Sequence, residues 1–196
     1  VKNYIVITMK NLLTYIVGLL FCFGLTAQKD FEKETLKILP QSELIIAGST
    51  NVNKFDCRFD VGLIPHSRSI RYINEDNYLR FPDLSLNLSI SGFDCGNRRM
   101  NEDFCDLLKS DKYPEIKISI DKIELISPQY TKAYITAYLA GEKKSYNLPV
   151  QVENDRFKGK FRMNIRDFGL EPPTKALGLI EVNEEIEVQF NLLVQR

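Results

Sequence analysis

Between Phe157 and Leu192 the chain reads as strand, proline-bearing turn, strand. Phe157, Phe161, Met163 and Ile165 alternate with Lys158, Lys160, Arg162 and Asn164. Arg166-Asp167-Phe168-Gly169-Leu170-Glu171-Pro172-Pro173-Thr174 follows, and then Ile186, Val188, Phe190 and Leu192 alternate with Glu187, Gln189 and Asn191. A period of two sends every apolar side chain to one face of a sheet and every polar one to the other. Two such runs with no helical period between them call for antiparallel sheet with one wet face. The other face has to be covered, or has to enclose something.

The same pattern recurs upstream. Ser42 to Gly48 is apolar at Leu44, Ile45, Ile46 and Ala47, and Asn53 to Asp60 places Phe55, Cys57 and Phe59 together. Leu84, Leu86, Leu88 and Ile90 alternate with Ser85, Asn87 and Ser89. Glu115 to Leu125 sends Ile116, Ile118 and Ile120 to one side. Thr131 to Ala140 sets Ile135, Ala137 and Leu139 against Tyr134, Thr136 and Tyr138. A turn at Gly141-Glu142-Lys143-Lys144 then leads into Tyr146, Leu148, Val150 and Val152. Asn97 to Ser110 alone carries a helical stripe, at Met100, Phe104, Leu107 and Leu108, with Glu102 and Asp103 assigned to its first turn. It is expected to stop before Tyr113-Pro114 and to pack on the sheet as a lid. Gly62 to Pro82 lacks a period and reads as a long loop or ragged hairpin. Eight strands and one short α-helix therefore describe an all-β chain, and antiparallel strands in this number commonly close into a barrel, which removes exposed edges.

The first 27 residues stand apart. Met9-Lys10-Asn11 resembles a start with a short positive segment, Leu12 to Phe23 is nearly all apolar, and Gly24-Leu25-Thr26-Ala27 is a small-residue exit. That is the three-part pattern of a signal peptide, expected to be cleaved after Ala27, with residues 1–8 an upstream mis-called start. The rival, a membrane anchor over Tyr4 to Phe23, would hold Lys10 within the bilayer. Export makes the protein periplasmic or secreted. Residues 28–41 are charged and read as an N-terminal tether, leaving 42–196 as the folded domain. Acids and bases number 26 each. Without a clustered basic surface the chain offers no nucleic-acid footprint.

Export permits a disulfide. Beyond the signal the cysteines are Cys57, Cys95 and Cys105. Cys57 and Cys95 share the context Phe-Asp-Cys, and Cys95–Cys105 is the alternative pairing; spacing does not choose between them. The one histidine, His66, has no visible partners, so neither a catalytic triad nor a metal site is indicated. Asp167-Phe168-Gly169 matches a kinase tripeptide without other kinase elements, and its glycine suits a turn. Glu184 and Glu185 read as a solvated turn rather than paired catalytic acids. No enzyme activity, cofactor or metal is expected.

Taken together, Gly48-Ser49-Thr50-Asn51-Val52-Asn53-Lys54-Phe55, Met100 with Leu107-Leu108-Lys109-Ser110-Asp111-Lys112-Tyr113-Pro114-Glu115-Ile116, Leu139-Ala140-Gly141 with Leu148-Pro149-Val150, and Asp167-Phe168-Gly169-Leu170 with Pro172-Pro173-Thr174 resemble, in order and spacing, the YceI-like family of exported lipid-binding proteins. The resemblance covers about Ser42 to Leu192. It implies an eight-stranded lipocalin-like barrel with a helix across it, holding a long apolar molecule such as a polyisoprenoid or quinone-like lipid. It also implies pairing of Cys57 with Cys95. The basic Gly62–Pro82 segment, and Asn53 and Lys54, depart from better-known members.

An exported carrier of a long-chain apolar ligand is thus the first expectation, with a bound isoprenoid lipid as occupant and a peripheral membrane or envelope partner. The residues expected to line the lumen are Ile118, Ile120, Ala137, Leu139, Leu148, Val150, Phe161, Met163, Val188 and Phe190. The alternative is a structural or protein-interaction barrel whose side chains fill its own core, with Tyr134, Thr136 and Tyr138 presented outward. The two differ in whether a hollow remains.

Overall fold

The structure, a computed structural model, describes residues 31–175 and 179–196. The signal, start and anchor readings lie outside the described residues. Fourteen strands follow in chain order: β1 (Glu32–Ile38), β2 (Glu43–Ser49), β3 (Lys54–Phe59), β4 (Ser67–Glu75), β5 (Tyr78–Arg80), β6 (Ser85–Ser89) and β7 (Phe93–Asp94), then β8 (Glu115–Ser127), β9 (Tyr130–Leu139), β10 (Glu142–Glu153), β11 (Arg156–Asn164), β12 (Thr174–Lys175), β13 (Ile180–Glu181) and β14 (Glu185–Gln195). Helix α1 (Arg98–Leu107) lies between β7 and β8.

Among the described residues twelve strands join in one antiparallel sheet, and β12 and β13 form a separate hairpin. The ladder closes on itself through eight strands, β1-β4-β5-β8-β9-β10-β11-β14, with β14 returning to β1 at Lys37–Gln195 and Ile38–Val194. Closure removes the open edge that an eight-stranded sheet would expose. The wall also carries a second tier. Along one side of β14, Glu187–Asn191 pair with β2 and Val194–Gln195 pair with β1, so β1 and β2 run end to end. Along one side of β8, Glu115–Ser119 pair with β6 and Lys122–Glu124 with β5. In this tier β3 continues the sheet from β2, and β7 caps part of β3 at Arg58–Asp94 and Phe59–Phe93.

Several expectations about the elements change, and of the two readings of Gly62–Pro82 the hairpin is the one present. The charged segment read as a tether is strand β1, paired with β4 over Glu32–Lys37. Its alternation was hidden because charges occupy positions on both faces, and only Leu36 and Ile38 are apolar on the half-buried one. The Gly62–Pro82 segment is a 3₁₀ turn at Val61–Leu63 followed by the β4–β5 hairpin, which turns on Asp76 at φ 45°. The turn expected over Gly141–Lys144 is tighter. Leu139 pairs with Glu142, and the two-residue loop Ala140–Gly141 has φ 51° and 88°, the doubly positive geometry that matches strand twist in hairpins.

Helix α1 begins where expected, because the Asn97 side chain accepts a hydrogen bond from the Met100 amide at 3.0 Å. Its first turn holds arginines, Arg98 and Arg99, and Glu102 and Asp103 fall in the second; Glu102 accepts from Arg98 at 2.8 Å. Ile165 does not extend β11. It opens a 3₁₀ turn, Ile165–Phe168, ended by Gly169 at φ 63°, a left-handed position where a residue without a Cβ is unstrained. Ile165, Phe168 and Leu170 are buried in the larger apolar cluster.

Candidate ligand-binding lumen

The inner faces of β8, β9, β10, β11 and β14 meet around a cavity of about 260 Å³. Every side chain lining it is aliphatic, aromatic or methionine. All ten residues expected on the wall line it. Register shows why: Ile118 lies opposite Ala137, Leu148 opposite Ala133, Phe161 opposite Val188, and Met163 opposite Ile186. Side chains directly across a ladder share a face, so one inward residue commits its partner.

The ten fall into two groups. Ala137, Leu139, Leu148, Val150 and Met163 are buried by close neighbours. Ile118, Ile120, Phe161, Val188 and Phe190 point inward from the middle of long strands yet remain half-buried. A packed interior leaves few voids larger than a water. Mid-strand inward side chains that keep accessible surface therefore face open space.

Other lining residues are read from the sequence as apolar-face positions and not as lumen residues. Leu44, Ile46 and Phe55 come from β2 and β3, and Phe157 and Leu192 from the far ends of β11 and β14. The alternation places them on the inner face beside their neighbours. Phe104 and Leu107 of α1 complete the wall, so the helix does act as a cover. It is positioned by the Phe93–Phe104 ring contact at 5.3 Å and by Asn101, which accepts from the Cys95 amide at 2.6 Å. At its C-terminal side the Lys109 ammonium donates to the Gly169 carbonyl at 3.4 Å. Cys57 and Cys95 form a disulfide that joins β3 to the approach to α1, and Cys105 is free on the helix. The alternative Cys95–Cys105 bond is not formed.

Polar side chains lie outside this wall. Tyr134 donates to Glu124 at 2.7 Å on the outer face, which lifts its phenol above the ordinary tyrosine value. Tyr138 is exposed beside the Lys117 ammonium. Glu184 accepts from Arg166 at 2.6 Å and from Asn164 at 3.1 Å, and these bonds, Arg166 first, hold its carboxyl below the usual range. Glu184 is thus tied into a surface network with Glu171, which Arg166 also reaches at 2.9 Å. His66 is exposed. Among the described residues no three His, Cys, Asp or Glu side chains gather to hold a metal.

Two side chains are exceptions: Thr131, buried opposite Val150, and Tyr146. The Tyr146 ring packs 5.4 Å from that of Phe161, and its hydroxyl is buried with no hydrogen-bond partner among the described residues. Burial, and then the charge of Asp167, push its phenol pKa up. A buried hydroxyl without a partner costs about 1–3 kcal/mol, so Tyr146→Phe is expected to raise stability by about 1 kcal/mol. Urea unfolding would measure it, and a loss of stability would show that the hydroxyl is satisfied.

The sequence profile of the YceI-like domain family matches residues 43–194. BcnA of Burkholderia cenocepacia superposes with a TM-score of 0.56 at 15% identity, over 80% of this chain and 97% of that one. A polyisoprenoid-binding domain from Saccharophagus degradans superposes with a TM-score of 0.54 at 15% identity, over 82% of this chain and 97% of its own. At such identity the two superpositions establish a shared fold and nothing finer. No curated protein sequence matches the chain. With the matched profile spanning both tiers of the wall and the helix between them, the chain belongs to the YceI-like family.

Proposed function

We propose that this protein is an exported, non-enzymatic carrier that holds the chain of a long apolar lipid, of polyisoprenoid or similar type, in its lumen. The observation that carries the reading is the wall itself: a partly open lumen of about 260 Å³ met only by apolar side chains. An apolar cavity of about 150 Å³ is enough to stay dry and take up benzene, so this one has room for a substantial stretch of hydrocarbon. Leaving such an apolar surface uncovered forgoes burial worth about 25 cal/mol per Å².

An occupant recovers that burial. Each buried CH₂ is worth about 0.8 kcal/mol, so roughly ten of them give about 8 kcal/mol before association costs of about 4–15 kcal/mol. Short chains therefore bind poorly, and long ones that fill the bore bind well. The likeness to a polyisoprenoid-binding domain supports an isoprenoid as the occupant. The N-terminal signal pattern supports a periplasmic or secreted setting, where a carrier would meet a membrane or envelope partner. A filled structural barrel is the competing reading, and the half-buried mid-strand side chains weigh against it.

The test is organic extraction of the purified protein followed by mass spectrometry. A stoichiometric prenyl or long-chain lipid is expected. A clean blank, joined to failure of the protein to take up added isoprenoid alcohols, would leave the carrier reading without support.

A further inference from the structure

Two glycines interrupt the inner wall, and each faces a phenylalanine. Gly159 of β11 lies directly opposite Phe190 of β14, and Gly48 of β2 lies directly opposite Phe55 of β3. Both rings line the lumen. A Cβ placed on Gly159 would lie 2.4 Å from Phe190 Cζ and 2.8 Å from its Cε1. One placed on Gly48 would lie 2.4 Å from Phe55 Cζ and 2.7 Å from its Cε2. In both pairs the ring is folded across the place where a side chain would start. Neither glycine has a positive φ, so backbone freedom does not call for glycine at either position. Glycine inside a strand weakens it and often marks a close approach; here the approaching group is a ring.

We propose that these glycines set the bore of the lumen. Each is a seat on which a phenylalanine lies flat against the wall, and the Gly159–Phe190 seat decides how long a hydrocarbon chain the lumen admits. This rests on the carrier reading above. The direction of ring movement follows from the neighbours. Phe190 is paired with Leu44 on its other side and flanked along β14 by Val188 and Leu192. Behind the seat, the Pro149 carbonyl oxygen is 3.1 Å from the same Cβ position. A methyl group on Gly159, pointing to the inner face, therefore pushes the ring toward the lumen. Phe190 packs on the cluster of Ala133, Ile135, Leu148 and Val150, which contains no residue of α1, whereas Phe55 packs on the larger cluster at the helix end. A ring raised at Phe190 thus divides the bore, whichever end a chain enters.

The test is competition of straight-chain fatty acids, from octanoic to docosanoic, against the fluorescent cis-parinaric acid. Gly159→Ala is expected to weaken the longest acids by about tenfold or more while octanoic acid changes little. The double variant Gly159→Ala with Phe190→Ala should recover the long acids, and Phe190→Ala alone should extend the accepted length. A Gly159→Ala protein that binds the whole series as wild type does overturns the proposal, as does a folded double variant that recovers nothing. If Gly159→Ala does not fold, an unchanged length preference in Phe190→Ala overturns it. If wild type binds no acid of any length, the series is repeated with isoprenoid alcohols of increasing length, and failure there as well sinks the carrier reading instead. Xenon uptake then decides the bore: less in Gly159→Ala supports the seat, and equal uptake overturns it.

Discussion

Phe161→Asp is expected to abolish lipid uptake at neutral pH and to destabilise the fold by about 3–5 kcal/mol. Phe161 lies opposite Val188, lines the lumen and holds the Tyr146 ring. The substitution removes a large apolar side chain and sets a carboxylate on an apolar wall beside Tyr146, where a single hydroxyl cannot replace the hydration the charge loses. Burial disfavours the charged form, so the folded-state pKa of the new carboxyl rises above its unfolded value of about 3.9. The folded protein then binds more protons than the unfolded chain between those two values, and stability falls as pH rises through that window. Below it the carboxyl is neutral in both states and only the packing loss remains. Urea unfolding at about pH 4 and pH 7 should show the larger deficit at pH 7. Wild-type stability and uptake at both would mean that Phe161 does not face the lumen.

Removing the disulfide with Cys57→Ala and Cys95→Ala is expected to cost about 4 kcal/mol, from the entropy regained by a loop spanning 38 positions. For a domain of this size that is a fall in Tm of about 8–16 °C. The bond joins β3 to the approach to α1: among the described residues β7 pairs with β3 only at Arg58 and Phe59, and Lys54 to Cys57 have no strand on that side. The thiol of Cys105 serves as the control, since Cys105→Ala removes no cross-link and should change Tm far less. A double variant as stable as wild type would show that side-chain packing alone holds this rim.

The inner face of the barrel was legible because one side of each long strand had to be oily. Ile118, Leu148 and Met163 could be placed by counting in twos, and α1 by its 3.6-residue stripe. Strands β1 and β4 were not legible. The face that includes Ile70 also bears Glu34 and Arg68, with Glu34 3.6 Å from Arg196, so no clean alternation survives where the barrel closes on charged groups. The acids of α1 were misplaced by one turn for a related reason: the cap residue, not the charge, fixes where a helix begins.

By itself the sequence determined which side chains share a face, because backbone geometry makes that a local property with a period of two. It could not determine which strand lies beside which, that Gly159 meets Phe190, or that the wall stands away from itself to leave a hollow. Those depend on register and closure among residues far apart in the chain, and on whether opposing side chains are large enough to touch, which only the assembled ring decides.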